Sequence, residues 1–316
     1  MYRGRRIGLV IPARNEERLV GPTLESVPEM VDEILVVNDG SKDRTGDVVS
    51  ERAQLDPRIR LVAHEKNQGP GAAVISGYLE AARDQCDIVV VAGGDNQMPM
   101  DQMERLLDPL VEGQADYAKG NRFLEGGNVF EDMPLVRIVG NMMISALTKI
   151  ASGYYKLVDV VDGFTAITRQ AIERVDWKKA WKGYGYPMNF LILLNYHGFR
   201  VVDVPRRAIY LKGERQSQIR GVRYALRVSP MLMRGFFWRI FYKYCIRSFH
   251  PLFFFYCLGM LLVPAGLLHG TWLVWRQIAG LGVSGPQAIL CALFLITGSQ
   301  FLLFGMLFDM EESIGR

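Results

Sequence analysis

The sequence has no CxxC pair, and its four cysteines, Cys86, Cys245, Cys257 and Cys291, take no metal-ligand spacing with the four histidines. A zinc ribbon, a thioredoxin-type redox centre and a disulfide framework are therefore excluded. The cysteines read as reduced packing residues, in the core or against lipid, in a reducing compartment. The glycine cluster Asn67-Gln68-Gly69-Pro70-Gly71 is neither a GxGxxG nor a Walker loop. Met1 to Ile11 carries positive charge but meets Pro12 without a long apolar core, so no signal peptide is expected. Negative charge is scarce in the last third. Up to Leu211 there are 26 basic and 29 acidic residues, whereas Lys212 to Arg316 holds 11 basic and 4 acidic, so the net +4 is −3 followed by +7. The basic residues crowd beside apolar segments, which points to anionic lipid rather than nucleic acid as the partner.

What is present in the first two hundred residues is an alternation of short apolar runs and amphipathic stretches. Ile7 to Ile11, Ile34 to Val37, Ile59 to Ala63 and Ile88 to Ala92 read as buried parallel strands. Glu16 to Val27, Ser41 to Leu55, Gly71 to Gln85 and Met100 to Glu112 have the length and spacing of crossover helices. The order βαβαβαβ predicts a doubly wound sheet with its ligand beyond the carboxyl ends of the strands. Polar loops follow each strand there: Pro12-Ala13-Arg14-Asn15-Glu16, Asn38-Asp39-Gly40-Ser41, His64-Glu65-Lys66-Asn67 and Gly93-Gly94-Asp95-Asn96-Gln97.

These loops converge on a nucleotide diphosphate held with a divalent cation. Asp39 can accept hydrogen bonds from a ribose or base, Gly40 permits close backbone approach, and Ser41 with Asp43 provides a helix start. The same residues also suit a simple turn and cap. Arg14 and Lys66 can pair with diphosphate oxygens or stay solvated. Asp95 and Gln97 offer hard oxygen ligands to Mg²⁺ or Mn²⁺, or cap the strand end. His64 is the one histidine close to these loops and reads as a strand-end residue.

Further along, Ala115 to Gly120 reads as a strand followed by Asn121-Arg122-Phe123, and Arg137 lies on an apolar helix from Pro134 to Ser152. Two arginines near the ligand edge suit a phosphate, because guanidinium forks match its oxygens. Phe199 to Val204 reads as another strand. From Gly221 to His250, aromatics such as Phe236, Trp238 and Tyr242 interleave with Arg227, Arg234, Arg239 and Lys243, the composition of helices lying in a membrane interface. Leu252 to Trp275 and Pro286 to Phe308 are free of charge, and each exceeds the ~20 residues that cross a bilayer. The basic flank before the first run, with only Arg276 between the two, places the preceding domain and both termini on the cytoplasmic side of an inner membrane. Three regions are expected: a catalytic domain over 1–211, a mobile loop with amphipathic interface helices over 212–250, and a two-helix transmembrane hairpin over 251–316. Apolar helices of this kind can also pack against a second copy, so a homo-oligomer is an open expectation.

Val10-Ile11-Pro12-Ala13-Arg14-Asn15-Glu16-Glu17, Val36-Val37-Asn38-Asp39-Gly40-Ser41 and Lys66-Asn67-Gln68-Gly69 resemble the inverting family 2 glycosyltransferases, in particular the dolichyl-phosphate mannose synthase and polyprenyl-phosphate branch. The resemblance covers most of residues 5 to 250. It implies an α/β class of GT-A type, a nucleotide-sugar donor (UDP- or GDP-hexose), Mg²⁺ or Mn²⁺, and a polyprenyl phosphate acceptor. Pro12, Arg14, Glu16, Asp39, Lys66, Gly94 and Asp95 would bind the donor, and Asp95 and Gln97 the metal. Arg122 and Arg137 would hold the lipid phosphate, with Asp95, Arg122 and Arg137 forming the catalytic group. Asp162 in Asp162-Gly163-Phe164 would support the sugar or acceptor, and Arg215, in a loop before the membrane, would approach the phosphates. One departure stands out: the family's Asp-x-Asp reads Gly93-Gly94-Asp95 here. That leaves a non-enzymatic nucleotide-sugar or lipid binder as an alternative. A processive polysaccharide synthase fits less well, because Gln216 to Arg220 lacks the Gln-x-x-Arg-Trp pattern.

Overall fold

The computed structural model describes residues 1–125, 135–209 and 221–314, except for the side chains of 135–139, 141, 221–223, 313 and 314. The chain divides into two compact units, Met1–Gly235 and Phe236–Arg316.

In the first unit the apolar runs become β1 (Ile7–Ala13), β2 (Glu33–Asp39), β3 (Ile59–His64) and β4 (Ile88–Val91), all parallel. Ile7, Leu9, Val10 and Ile11 are fully buried, as a strand covered on both faces requires. The crossovers are α1 (Val20–Glu25), α2 (Thr45–Leu55) and α3 (Pro70–Arg83), and α4 (Met103–Val111) follows β4. On α4, Met103, Leu106, Leu107 and Leu110 are buried, a stripe at helical spacing that faces the core. Gly77 lets α3 lie directly on β1, since a Cβ there would come within 2.2 Å of a Val10 methyl carbon.

α4 starts three residues later than its sequence pattern suggests, and α1 and α2 four. α1 begins at Val20 rather than Glu16, and α2 at Thr45 rather than Ser41. The intervening residues bond to one another across the strand edge instead. Asn15 N–H donates to Ser41 Oγ (3.0 Å), Glu16 N–H to Thr45 Oγ1 (2.8 Å), and Lys42 N–H to Asn15 Oδ1 (2.9 Å). Side-chain acceptors thus take the amides that a longer α1 would have left open.

The remaining strands are β5 (Tyr117–Asn121), β6 (Thr165–Thr168) and β7 (Val201–Pro205), with α5 (Leu135–Ser152), α6 (Arg169–Arg174) and α7 (Tyr186–His197) between them. The seven-stranded sheet runs β3-β2-β1-β4-β6-β5-β7. β6 is antiparallel to both β4 and β5, and β7 is parallel to β5. The sheet is therefore mixed. Because β6 is reversed, the residues that precede it sit at the same edge as the residues that follow β4, β5 and β7. The chain reverses its order between β1 and β4, and the crevice at such a switch point is where open α/β sheets bind ligands.

The straddling helix α8 (Gly221–Arg239) leads into the second unit through a π-helical turn, Ile240–Arg247, and then α9 (Pro251–Ile278) and α10 (Gly285–Ile314). α9 and α10 are long and apolar enough to cross a membrane, each with a mean hydropathy of 2.0 over its most apolar window. Leu268, Ile278, Ile289 and Leu303 point outward, fully apolar and uncovered. Small residues hold the pair together. A Cβ on Gly259 would come within 2.7 Å of the Leu302 side chain, and one on Gly298 within 2.9 Å of Val263 N, so both glycines mark close backbone approach as in membrane helix pairs. Arg239 and Asp309, both completely buried, form a two-pronged ion pair at 2.7 Å per contact, and Tyr244 donates to Asp309 Oδ1 (2.8 Å). The four cysteines are free.

Candidate active site

At the switch point, the loops after β1 and β4 touch. Gly94 N–H donates to the Pro12 carbonyl (3.3 Å), and a Cβ on Gly94 would lie 3.1 Å from Ala13 Cβ. Pro12 is half-buried in register with Val37, Glu16 is half-buried, and Arg14 and Lys66 are exposed. Asp39, at the end of β2, is buried, and its carboxylate gathers the third loop. Gln68 N–H donates to Oδ1 (2.7 Å) and Gly69 N–H to Oδ2 (2.8 Å). His64 stands beside Asp39 in the β2–β3 register, with Nδ1 2.8 Å from Asp39 Oδ1 and Nε2 2.9 Å from Ser76 Oγ. A carboxylate only accepts, so Nδ1 carries a proton and donates to Asp39. His64 is thus more than a strand-end residue: it fixes Asp39. With three donors already in place, the carboxylate keeps room for about one more, such as a ribose hydroxyl.

The glycines of this region permit contacts that no side chain would. Gly40 has φ 63°, and a Cβ there would fall 2.6 Å from Asn67 N. Gly69 has φ 102°, and its Cβ would fall 2.4 Å from the Lys182 carbonyl, to which Gly71 N–H also donates (2.8 Å). The turn after β3 is therefore clamped between Asp39 and the segment before α7. Tyr184 belongs to that segment. Burial pushes its phenol upward, against the pull of Arg14, with Glu16 and Asp39 adding to the rise.

Asp95 is half-buried after β4, and Gln97 N–H donates to its Oδ1 (3.3 Å). Burial holds its carboxyl above the ordinary range, against the pull of backbone hydrogen bonds and of Arg206. A Cβ on Gly93 would lie 2.9 Å from Asp95 Oδ1, so any side chain at position 93 would crowd the Asp95 carboxylate, and the glycine there brings no carboxylate of its own. Among the described residues no group of three or more His, Cys, Asp or Glu could hold a metal by itself. One carboxylate and one amide do suit Mg²⁺ or Mn²⁺ that draws its remaining ligands from a diphosphate and water, the usual mode for Mg²⁺.

On the other side of β4 the edge is ionic. Arg122, after β5, is gripped by Asp159: Nε donates to Oδ2 (2.7 Å) and Nη2 to Oδ1 (3.0 Å), with Asp162 Oδ2 3.3 Å from Nε. Asp162 is buried. Its Oδ1 accepts from Phe164 N–H (2.8 Å), and its Oδ2 accepts from Arg206 Nε (2.9 Å) and Nη2 (2.6 Å). Lys119 is completely buried in β5 and donates to the Asp162 carbonyl. Burial pulls its ammonium down, and Asp162, Asp159 and Asp203 counter that pull. Burial likewise pushes Asp159 up, but the hydrogen bonds and charge of Arg122, with Lys119, bring it below the ordinary carboxylate value. Asp203 Oδ2 accepts from Asn121 Nδ2 (2.7 Å) and Val158 N–H (2.6 Å). The sequence reading placed Arg122 and Asp162 at this edge but missed Asp159, Arg206, Lys119 and Asp203. Asp159 three residues before Asp162, and a lysine inside an apolar strand, were the available signals. Arg137 lies on α5 with its side chain outside the described residues, and Arg215 lies wholly outside them.

A mixed seven-stranded α/β sheet in this order, with polar loops gathered at its switch point and an ionic edge beside it, has a GT-A-like fold. The profile of glycosyl transferase family 2 matches residues 9–176, over half of the chain, and the protein belongs to this glycosyltransferase family. It is 27% identical over 250 residues to a UDP-N-acetylglucosamine–dolichyl-phosphate N-acetylglucosaminyltransferase of Methanococcus voltae, covering 75% of this chain and 94% of that one. It is 31% identical over 209 residues to a polyprenol monophosphomannose synthase of Mycolicibacterium smegmatis, covering 62% and 75% respectively. In fold it is similar to glucosyl-3-phosphoglycerate synthase of Mycobacterium tuberculosis solved with UDP, with a TM-score of 0.54 and 22% identity over 75% of this chain and 80% of that one. A complex of that synthase also holds Mn²⁺ and UDP-glucose.

Proposed function

We propose that the protein transfers a sugar from a nucleotide-sugar donor to a polyprenyl phosphate, with inversion at the anomeric carbon. The observation that carries this reading is the pairing, in one family 2 chain, of an arginine, Arg122, held in an ionic strand edge beside the switch point with two long apolar helices. A phosphate monoester has its second pKa near about 6 and is largely dianionic at neutral pH, so it needs no strong base. One of its oxygens forms the new bond to the anomeric carbon as the bond to the nucleoside diphosphate breaks, and the electron pair leaves with the diphosphate. The protein's work is to align two anions and offset their repulsion.

In this reading Asp39, clamped by His64 and the Gln68-Gly69 amides, receives the ribose or base, while Arg14 and Lys66 flank the diphosphate. Asp95 and Gln97 hold Mg²⁺ or Mn²⁺, which would neutralise charge on the leaving diphosphate. Arg122, with Arg137 and Arg215, receives the acceptor phosphate. Residues 1–211 form the catalytic domain, 212–250 the interfacial segment and 251–316 the anchor, with the catalytic domain and both termini on the cytoplasmic side.

The test is transfer from a panel of radiolabelled UDP- and GDP-sugars to undecaprenyl phosphate by the purified protein in detergent, with Mg²⁺ or Mn²⁺ and an EDTA control. A metal-dependent lipid-linked product is expected. Donor binding without turnover across the panel would put in its place the binding protein that Gly93 favours.

A further inference from the structure

Arg122 is proposed above as the acceptor's phosphate contact, and the following inference rests on that reading. Taken with Asp159 and Asp162 alone, its carboxylate partners among the described residues, Arg122 is poorly suited to an anion. Asp159 binds it with both oxygens and Asp162 approaches its Nε at 3.3 Å, so one guanidinium faces two buried negative charges. These three groups, Arg122, Asp159 and Asp162, by themselves sum to −1, which repels a dianionic phosphate. Arg206 changes that sum. It lies one residue beyond β7, with 6% of its surface exposed, and its Nε and Nη2 both bind Asp162 Oδ2.

The surroundings of Arg206 are built for it. Its N–H donates to the Asn121 carbonyl (3.1 Å), which continues the β5–β7 ladder, and its Nη1 donates to the Arg207 carbonyl (3.0 Å). Gly120 on β5 leaves a path for its stem, since a Cβ there would lie 3.1 Å from Arg206 Cδ and 3.2 Å from Cγ. The neighbouring Arg207 is exposed and spends its charge on the surface residue Asp101, at 3.1 Å to each oxygen. Two adjacent arginines thus do different things, and only the first enters the site.

The geometry points to Arg206 as a positioning residue for the acceptor: by taking up the charge of Asp162, it leaves Arg122 oriented by Asp159 and electrostatically open to a phosphate dianion. Without it, Asp162 is a buried carboxylate whose nearest guanidinium is Arg122, and it competes with the phosphate for the same cation. The charge of Arg206 matters first and its fork second, because the fork holds the angle at which Asp162 meets both arginines.

The experiment measures binding of radiolabelled undecaprenyl phosphate, and separately of UDP and GDP, to the full-length protein in detergent. The expected results are a tenfold or greater loss of lipid-phosphate affinity in Arg206→Met with unchanged nucleotide affinity, a smaller loss in Arg206→Lys, and recovery in Asp162→Asn/Arg206→Met, where both charges are gone. A merely structural role predicts the opposite for the double variant, which would then be as weak as Arg206→Met or weaker; that result overturns the inference. So does wild-type affinity in Arg206→Met. If Arg206→Met does not fold, Arg206→Lys and the double variant decide alone, with the same two readings. Arg122→Ala separates the levels. If it weakens lipid-phosphate binding while Arg206→Met does not, only the role of Arg206 falls. If Arg122→Ala binds like wild type, or the wild type binds none, the assignment of the acceptor site falls and takes this inference with it.

Discussion

Between β1 and β3 the strand edge is held mainly by backbone amides that donate to carboxylates, Asp39 above all with Asp43 and Glu17 beside it. Beyond β4 the same edge is held by arginine, lysine and three aspartates, all at least partly buried. Both arrangements satisfy polar groups over an apolar sheet, but they produce different surfaces. Amide-bonded turns fix a shape and carry little net charge, which suits a ligand recognised by its hydroxyls and ring edges. An ion network fixes a field, which suits a small anion whose shape is nearly spherical. Asp95 sits at the seam, where the leaving group of one ligand would meet the nucleophile of the other.

The seam should be the most sensitive point. Asp95→Ala is expected to lower transfer by about a hundredfold or more, the scale of removing a principal electrostatic contact in a reaction site, while insertion into membranes is kept. Turnover equal to wild type would remove Asp95 from the mechanism. Arg122→Ala comes next. Its effect should be polarised, raising the KM for undecaprenyl phosphate about tenfold or more while the donor KM changes little. Equal loss for both substrates would mean that the two halves of the edge do not serve separate ligands.

His64→Phe tests the amide-bonded half. It removes the donor to Asp39 and the hydrogen bond between His64 and Ser76, at a cost of about 1–3 kcal/mol in stability. The donor KM should rise as the Gln68-Gly69 turn loosens, with the acceptor KM unchanged. Thermal unfolding together with both KM values reads this out. An acceptor effect as large as the donor effect would count against the division of the edge.

Sequence reasoning reached the amide-bonded half more fully than the ionic one, for a physical reason. In a parallel βαβ array each functional loop directly follows its own strand, so Pro12–Glu16, Asp39–Ser41, Lys66–Gly69 and Gly93–Gln97 are legible from apolar runs alone. The ionic half depends on the reversal of β6, which brings Asp159 and Asp162 to the edge from the N-terminal side of their strand, and on β7 pairing with β5, which delivers Arg206. Neither pairing leaves a local mark. His64 was visible as a residue but not as a partner, because Asp39 is its neighbour only once β2 and β3 are in register. The membrane-type helices were legible through length and missing charge, whereas the buried Arg239–Asp309 pair joins residues seventy positions apart. Gly93 was legible as a missing carboxylate, and the structure adds that a side chain there would crowd the carboxylate of Asp95.

The smallest expected effect concerns the price of the ionic half. Asp203 Oδ1 is buried with no hydrogen-bond partner among the described residues, and burial raises its carboxyl above the ordinary 3.8 despite the donors on Oδ2 and the charge of Lys119. A carboxyl whose folded pKa is raised binds its proton more tightly in the native state. Its contribution therefore favours the folded state at low pH and is lost as pH rises from the unfolded value through the raised one. Asp159 has the opposite sign: its lowered folded pKa gives stability that is lost as pH falls. The two overlap in the acid range, so a wild-type pH profile alone does not separate them. Asp203→Asn keeps an oxygen for Asn121 and Val158 but cannot ionise. The difference between the two thermal-unfolding profiles isolates Asp203: at low pH they should lie close together, and as pH climbs past the ordinary carboxylate value the variant should gain on wild type by up to about 1 kcal/mol. A gap that instead narrows in the variant's disfavour as pH falls would mean that ionised Asp203 is a supporting member of the network, with Lys119 rather than Asp162 and Asp159 as its main counterpart.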